Sequence, residues 1–342
     1  MEQALETLSA LGRAARMCVT ARRGRFHDWP SNAVLIDEPL AMAEARTGKL
    51  RRIYANAGRD LWDGPTLFRE AMAKHGGIQL EREKREALSH ILTMLMWGEL
   101  AAWIISAQLA ERLDDPDARM AASSQVFDEA RHFYTLRDYV AALHVPVPPL
   151  DPYFATAARA MLDEDDLNLK LMAMQLLAEG TAQTIFDFLA DAEVEPVLSE
   201  LLPYIERDEA RHVGLGIMHL PDRLAQLDAD QCRRIARKVM TIGDLFAATQ
   251  IRFIPHYDTL GLDPRELFRR ADKMLHGLSQ KLGTVPGTGV PYFRTFDPTS
   301  PSYQKQLDFV LPPKGRAPSR SSRLLHRAVE LGARAMTRGA AA

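Results

Sequence analysis

The pentapeptide Asp-Glu-Ala-Arg-His occurs twice in this chain, at 128–132 and at 208–212. At ordinary residue frequencies a second chance copy is an event on the order of one in a thousand or rarer. The correspondence extends outward: Glu99 stands thirty residues before Glu129, Glu179 stands thirty before Glu209, and each member of the second set lies 80 positions after its counterpart. Two helix pairs with the same internal geometry are the simplest account of such a repeat. In Glu-x-x-His the two side chains leave one helix face a turn apart. A carboxylate and an imidazole so placed can bind one metal ion or bridge it to a neighbour. Each motif supplies two ligands and each preceding helix one more, which nominates Glu99, Glu129, His132, Glu179, Glu209 and His212.

The lone glutamates support this by where they sit. Leu92, Leu95, Met96, Trp103 and Ser106 share a helix face with Glu99, and Met172, Leu176, Gln183 and Phe186 share one with Glu179. An ionised carboxylate in an apolar stripe is costly unless paired. Two dications would balance the four glutamates and leave a neutral inner site. A solitary Glu-x-x-His on a helix is ordinarily a solvated pair; two copies with matched glutamates favour metal. Asp128, Arg131, Asp208 and Arg211 complete the repeats. Metal-bound histidine normally donates its other N–H to a carboxylate or carbonyl. Asp128 and Asp208 are candidates for that role, a crossing between the two helices being one arrangement, and Arg131 and Arg211 are candidates to neutralise them. The alternative is four surface charges.

Helical periodicity dominates the rest. The pattern predicts an amphipathic helix over 1–23 and a mixed stretch to about 77. Long helices follow at about 80–112 and 117–143, then a proline-rich break at 145–149. Further helices are predicted at 152–163, 166–192, 194–219 and 222–248. Beyond Pro255 the pattern gives a short helix near 264–280, an extended loop over 281–321 and a helical tail over 322–338. The organisation expected is an N-terminal helix and wrapping segment (1–77), an all-α di-metal bundle (78–250), a peripheral helix and loop (251–321) and a basic amphipathic tail (322–342). In that tail Arg323, Arg327, Arg334 and Arg338 form a stripe opposite Leu324, Leu325, Ala328, Leu331 and Ala335. A self-docked or mobile end is expected ahead of a contact with a partner or an anionic membrane.

A content of 46% apolar and 26% charged residues suits a folded globular chain, and a net charge of −2 gives no field for nucleic acid. Cys18 and Cys232 make no disulfide framework, so reduced thiols are expected. The N-terminus lacks the pattern of a signal peptide. The apolar run Ala87–Gly98 is too short to cross a bilayer, so a soluble cytoplasmic protein is expected. Trp97, Tyr134 and Tyr139 fall on or near the ligand helices and read as core. Trp103, Gln183, Thr184 and Phe186 are the candidates for a substrate pocket.

The double motif, with a glutamate on each preceding helix, resembles the di-iron centres of bacterial multicomponent monooxygenases. It is similar also to those of the ribonucleotide reductase small subunit, its ligand-binding oxidase relatives, acyl-carrier-protein desaturases and di-iron N-oxygenases. The resemblance spans about residues 80–220 and implies a ferritin-like four-helix bundle with extra flanking helices. It further implies two iron ions, or manganese with iron, that reduce O2 and oxidise a small organic substrate. Glu99, Glu129 and His132 would hold one iron and Glu179, Glu209 and His212 the other, with Glu129 and Glu209 as bridges. A homodimer is expected. No flavin, nicotinamide or Fe–S motif is present, so electrons would come from an external donor.

The departures matter as much. Leu136 stands where the reductase subunit has its radical tyrosine. Ala101 and Met174 stand at the positions of the oxidase relatives' Val–Tyr cross-link. Ile205 takes the place of the N-oxygenases' extra histidine, and Gln183 that of a monooxygenase threonine. A radical-generating subunit and a non-enzymatic iron-binding protein are the rival readings.

Overall fold

Prolines punctuate the helices. Asp115-Pro116, Asp151-Pro152 and Asp263-Pro264 each open one: the aspartate caps the first free N–H groups, and the proline occupies a position that needs no N–H. The computed structural model describes residues 40–293, 297–313 and 317–340, which hold helices and one isolated antiparallel bridge, Thr284 to Pro291. The expected helix over 1–23 and Cys18 lie outside the described residues. The chain divides into two units, Met1–Gly48 and Lys49–Ala342; apart from the helical residues 40–48, which belong to the first, the description below concerns the second.

In chain order the helices are α1 (Leu40–Arg59), α2 (Gly64–His75), α3 (Arg82–Arg112), α4 (Pro116–Ala142), α5 (Pro152–Leu162) and α6 (Leu167–Leu171). A π-helical turn, Met172–Ala178, then leads into α7 (Glu179–Asp191). After it come α8 (Pro196–Leu224), α9 (Ala229–Thr259), α10 (Pro264–Leu282), α11 (Tyr303–Val310) and α12 (Arg320–Ala340). The bundle consists of α3, α4, the α6–π–α7 rod and α8. The connections from α3 to α4 and from α7 to α8 are a few residues long, so each pair folds back antiparallel.

Two apolar clusters fill the bundle, one containing Ile105, Ala122, Met172 and Leu215, the other Leu92, Leu136, Phe186 and Ile205. Fully burying each large apolar side chain contributes about 1.5–3 kcal/mol. On all four rods the candidate glutamate falls between residues of one cluster and residues of the other. The site is therefore a polar waist clamped by two hydrophobic halves. This also explains the apolarity of α3. An 18-residue window reaches a mean hydropathy of 1.4, enough by length and composition to cross a membrane, yet 67% of that window is buried inside the protein.

The structure corrects several boundaries. The stretch read as mixed carries α1 and α2. The helix predicted at 222–248 begins at Ala229 and runs through Pro255 to Thr259, because Phe253 and Tyr257, buried on either side of the proline, offset the one lost backbone bond. The loop over 281–321 contains α11, which buries Tyr303, Leu307 and Val310. In the tail, α12 docks on its Ser322, Val329 and Ala333 face, and Leu324 and Leu331 point outward. Tyr153 donates its hydroxyl to the Val329 carbonyl at 2.9 Å, and Arg252 pairs with Glu330 at 3.0 Å. The amphipathic pattern gave the helix correctly but not the face that packs.

Candidate metal centre

Glu99 lies midway along α3, Glu129 and His132 on α4, Glu179 at the head of α7, and Glu209 and His212 on α8. All six are at most 4% exposed. Each histidine turns Nδ1 toward the carboxylates. His132 Nδ1 is 3.1 Å from Glu209 Oε1 and 3.3 Å from Glu99 Oε2. His212 Nδ1 is 3.1 Å from Glu209 Oε2, 3.3 Å from Glu129 Oε1 and 3.7 Å from Glu179 Oε2. Two sets of potential ligand atoms gather within 4.8 Å: Glu99, Glu129, His132 and Glu209, and Glu129, Glu179 and His212. Glu129 belongs to both sets, and Glu209 reaches both histidines.

Behind the histidines the partners cross over. His132 Nε2 meets Asp208 Oδ2 at 3.2 Å, and His212 Nε2 meets Asp128 Oδ2 at 3.3 Å. Each imidazole is thus steered by the aspartate of the other repeat. Arg131 bonds Asp128 at 2.5 Å and Asp208 at 2.6 Å, and Arg211 bonds the same two at 3.0 and 2.6 Å. None of the four is a surface charge; all are buried. Two cations and two anions make the quartet internally neutral, so it cannot offset the four glutamates.

That leaves the inner cluster electrostatically unsatisfied. Burial and the Glu179 charge raise the Glu99 carboxyl to about 8, and burial raises Glu129 and Glu209 well above the usual carboxylate range. Burial works against charging His132, but Asp208 and Glu209 more than reverse it and lift the imidazole to about 9. Glu129 Oε2 and Glu209 Oε1 are buried without a well-aligned hydrogen bond, His132 Nδ1 lying 3.8 Å from the first and 3.1 Å from the second. Carboxylate oxygens facing two imidazole nitrogens in a dry waist fit a pair of cations. Oxygen-rich donors with two imidazoles suit iron or manganese.

Three participants escaped the sequence reading. Gln125, one turn before Glu129, donates to Glu129 Oε1 at 2.8 Å and to Glu179 Oε1 at 2.6 Å. Gln175, in the π turn, holds Gln125 at 2.9 Å. Trp62, between α1 and α2, donates its indole N–H to Asp208 at 2.7 Å and lies under the Arg131 guanidinium. The polar residue four before Glu129 was a usable signal for Gln125. Trp62 has none, since 146 positions separate it from its partner.

Of the pocket candidates, Thr184 lines a cavity of about 480 Å³ between α7, α9, α10, α11 and α12. Phe186 is wholly buried in the second apolar cluster, and Gln183 lines neither described cavity. Trp103 is corrected: it is 41% exposed on the outer face of α3. The buried stripe of α3 runs through Leu92, Leu95, Glu99, Ala102 and Ser106, and Trp103 falls just off its edge. A second cavity, of about 60 Å³, touches Glu99 and Glu179, and Ala101 and Met174 are in its wall.

No protein-family model matches the chain, and no curated protein sequence does either. Solved structures do match in fold. A variant of R2-like ligand-binding oxidase with an aerobically reconstituted Mn/Fe cofactor aligns with a TM-score of 0.53 and 16% identity, over 68% of this chain and 93% of that one. A variant of the same oxidase with an Fe/Fe cofactor aligns equally well, and a further Mn/Fe variant gives 0.52 at 17% identity, over 68% and 94%.

Proposed function

We propose that this chain, whose fold is the ferritin-like bundle of the R2-like ligand-binding oxidases, is an O2-dependent di-iron oxidase or oxygenase acting on a small organic substrate. Glu99, Glu129, His132, Glu179, Glu209 and His212 would hold the two metals. The observation that carries this reading is the buried gathering of four glutamates and two histidines within ligand distance of one another, in a cluster whose charge the protein itself does not balance. The Mn/Fe and Fe/Fe cofactors of the structural neighbours support iron at both positions, with manganese in one as the alternative.

Two irons held by these residues would supply electrons and Lewis acidity toward O2. The protein's part follows from its own geometry. Asp208 and Asp128 keep the proton of each histidine on Nε2, so that Nδ1 presents a lone pair inward. Gln125 ties Glu129 to Glu179 and limits how far either carboxylate swings. The apolar wall around Glu99 and Glu179 excludes water and restricts proton leakage. Electrons come from an external donor, and the hydrogen-bonded series Trp62, Asp208, His132 leads inward from near the surface.

The test is metal analysis of the purified chain, then anaerobic loading with Fe(II), mixing with O2 and stopped-flow absorption. About two metals per chain and an O2-dependent transient are expected; absence of both refutes the reading. Sizing addresses storage: a small oligomer sets it aside, whereas a cage would support it. No stable tyrosyl radical is expected by electron paramagnetic resonance, because Leu136 is buried at the position in question.

A further inference from the structure

The two cavities adjoin. The smaller, of about 60 Å³, reaches Glu99 and Glu179; the larger, of about 480 Å³, lies beyond it. Thr181, Ile185, Phe246 and Gln250 line both and form a ring between them. On this measure one water molecule needs about 10–15 Å³, so the inner space admits a few water-sized groups, such as a diatomic molecule or the end of a chain, rather than the body of an organic substrate. The outer chamber falls within the range of roughly 300–1,000 Å³ usual for small-molecule sites. The body of any substrate that reaches the glutamates from this side must therefore occupy the outer chamber.

The wall limits what that body can be. Val239, Leu275, Phe309, Leu325 and Val329 are hydrocarbon surfaces. Among the described residues no cationic side chain lines either cavity, and two aspartates, Asp244 and Asp272, line the larger. An anionic head is disfavoured. At the ring, Thr181 spends its hydroxyl proton on the Leu177 carbonyl at 2.6 Å, and Thr184 nearby spends its own on Gly180 at 2.7 Å. Gln250 differs. It is 9% exposed, its Oε1 accepts the Tyr257 hydroxyl at 2.7 Å, and its Nε2 has only the Met94 sulfur at 3.9 Å. Tyr257 is wholly buried, so it fixes the amide with its N–H groups turned away from itself. A thioether is a weak acceptor, and Met94 is itself in the wall of the inner cavity.

We propose that the outer chamber binds an uncharged hydrocarbon bearing one acceptor oxygen, a carbonyl or hydroxyl. Gln250 holds that oxygen at the ring, and the carbon beyond it enters the inner cavity beside Glu99 and Glu179. The inference rests on the oxidase reading for the fate of the ligand, not for its binding. Gln250 is then a specificity-determining residue.

The full-length, metal-free chain is titrated with Nile red, and the dye is displaced with 2-decanone and with decane. Gln250→Leu is expected to weaken 2-decanone about tenfold, the scale of one lost hydrogen bond, and decane less than twofold. Ala271→Trp, which fills the chamber from α10, is expected to weaken both at least tenfold with iron stoichiometry unchanged. Equal effects of Gln250→Leu on the two ligands overturn the proposal, as does unaltered binding of both in Ala271→Trp. Selective binding with no O2 chemistry leaves this inference standing and removes the oxidase reading; O2 chemistry without chamber binding does the reverse.

Discussion

Asp208 receives the Trp62 indole N–H, both Arg131 and Arg211, and His132 Nε2. Burial alone would raise its carboxyl; His132, Arg211 and Trp62 reverse this and hold it well below the usual range. Removing that one charge leaves Asp128 facing two guanidinium groups in a dry interior. Asp208→Asn is expected to cost about 3–5 kcal/mol, as for a broken buried pair, and to weaken metal binding roughly 10–100-fold through His132. Urea unfolding and competition with a chelator measure the two, and a loss under about 1 kcal/mol would show that the quartet is dispensable. At the ligands themselves, Ala at Glu99 or Glu179 is expected to reduce metal stoichiometry while leaving the fold largely intact.

At the scale of elements, the π turn Met172–Ala178 sets the direction in which Glu179 enters the site. It packs against α8 at Gly216, where an added Cβ would come within 2.7 Å of Gln175 Cβ and of Leu176 Cδ2. The first of these is anchored to the backbone and cannot swing aside. Gly216→Ala is therefore expected to destabilise the chain by roughly 1–3 kcal/mol, the cost of overpacking. Because Gln175 holds Gln125, the variant should also lower iron occupancy. An unchanged melting temperature in thermal denaturation would mean that the π turn yields freely. Periodicity alone predicted one continuous helix over 166–192, since nothing in Met-Ala-Met-Gln-Leu-Leu-Ala distinguishes a π turn from an α turn. The widened turn packs closely against Gly216 of α8, a contact that periodicity does not register.

For the whole molecule, the clustered glutamates make stability depend on pH in an unusual direction. Glu99 titrates near 4.5 in an open chain and at about 8 when folded, and His132 moves from 6.5 to about 9. In both cases the folded state binds more protons, so this stability is present at low pH and lost as pH rises through the folded values. His256, lowered to about 4 by burial and by His90, acts oppositely but only below about pH 6.5. The metal-free chain is expected to melt at lower temperature as pH rises from 7 to 9. Metal loading, which deprotonates the same groups, should flatten the trend. Calorimetry with and without chelator decides; a rise toward pH 9 would contradict the assignment. The surface carries a second prediction. Met120, Phe127 and Tyr134 recur every seventh residue on α4 beside Trp97 and Ile104 on α3, all of them more than one-third exposed. A homodimer seated on this face predicts that Phe127→Glu converts a dimer to monomers by sedimentation; a parent chain that is already monomeric refutes it.

What the sequence determined by itself was local or repeated. The i, i+3 spacing placed Glu129 with His132 and Glu209 with His212, the 80-residue repeat added Glu99 and Glu179, and helical periodicity marked the long helices that carry them. These follow from helix geometry, which needs no knowledge of neighbours. Tertiary structure alone decided the rest. It crossed His132 to Asp208 and His212 to Asp128, brought Trp62 to the site from far along the chain, turned Trp103 outward and chose the face on which α12 docks. It also opened two adjoining cavities and left Gln250 between them. Such features depend on which surfaces meet once long-range packing has maximised apolar burial, and neither spacing nor periodicity encodes that choice.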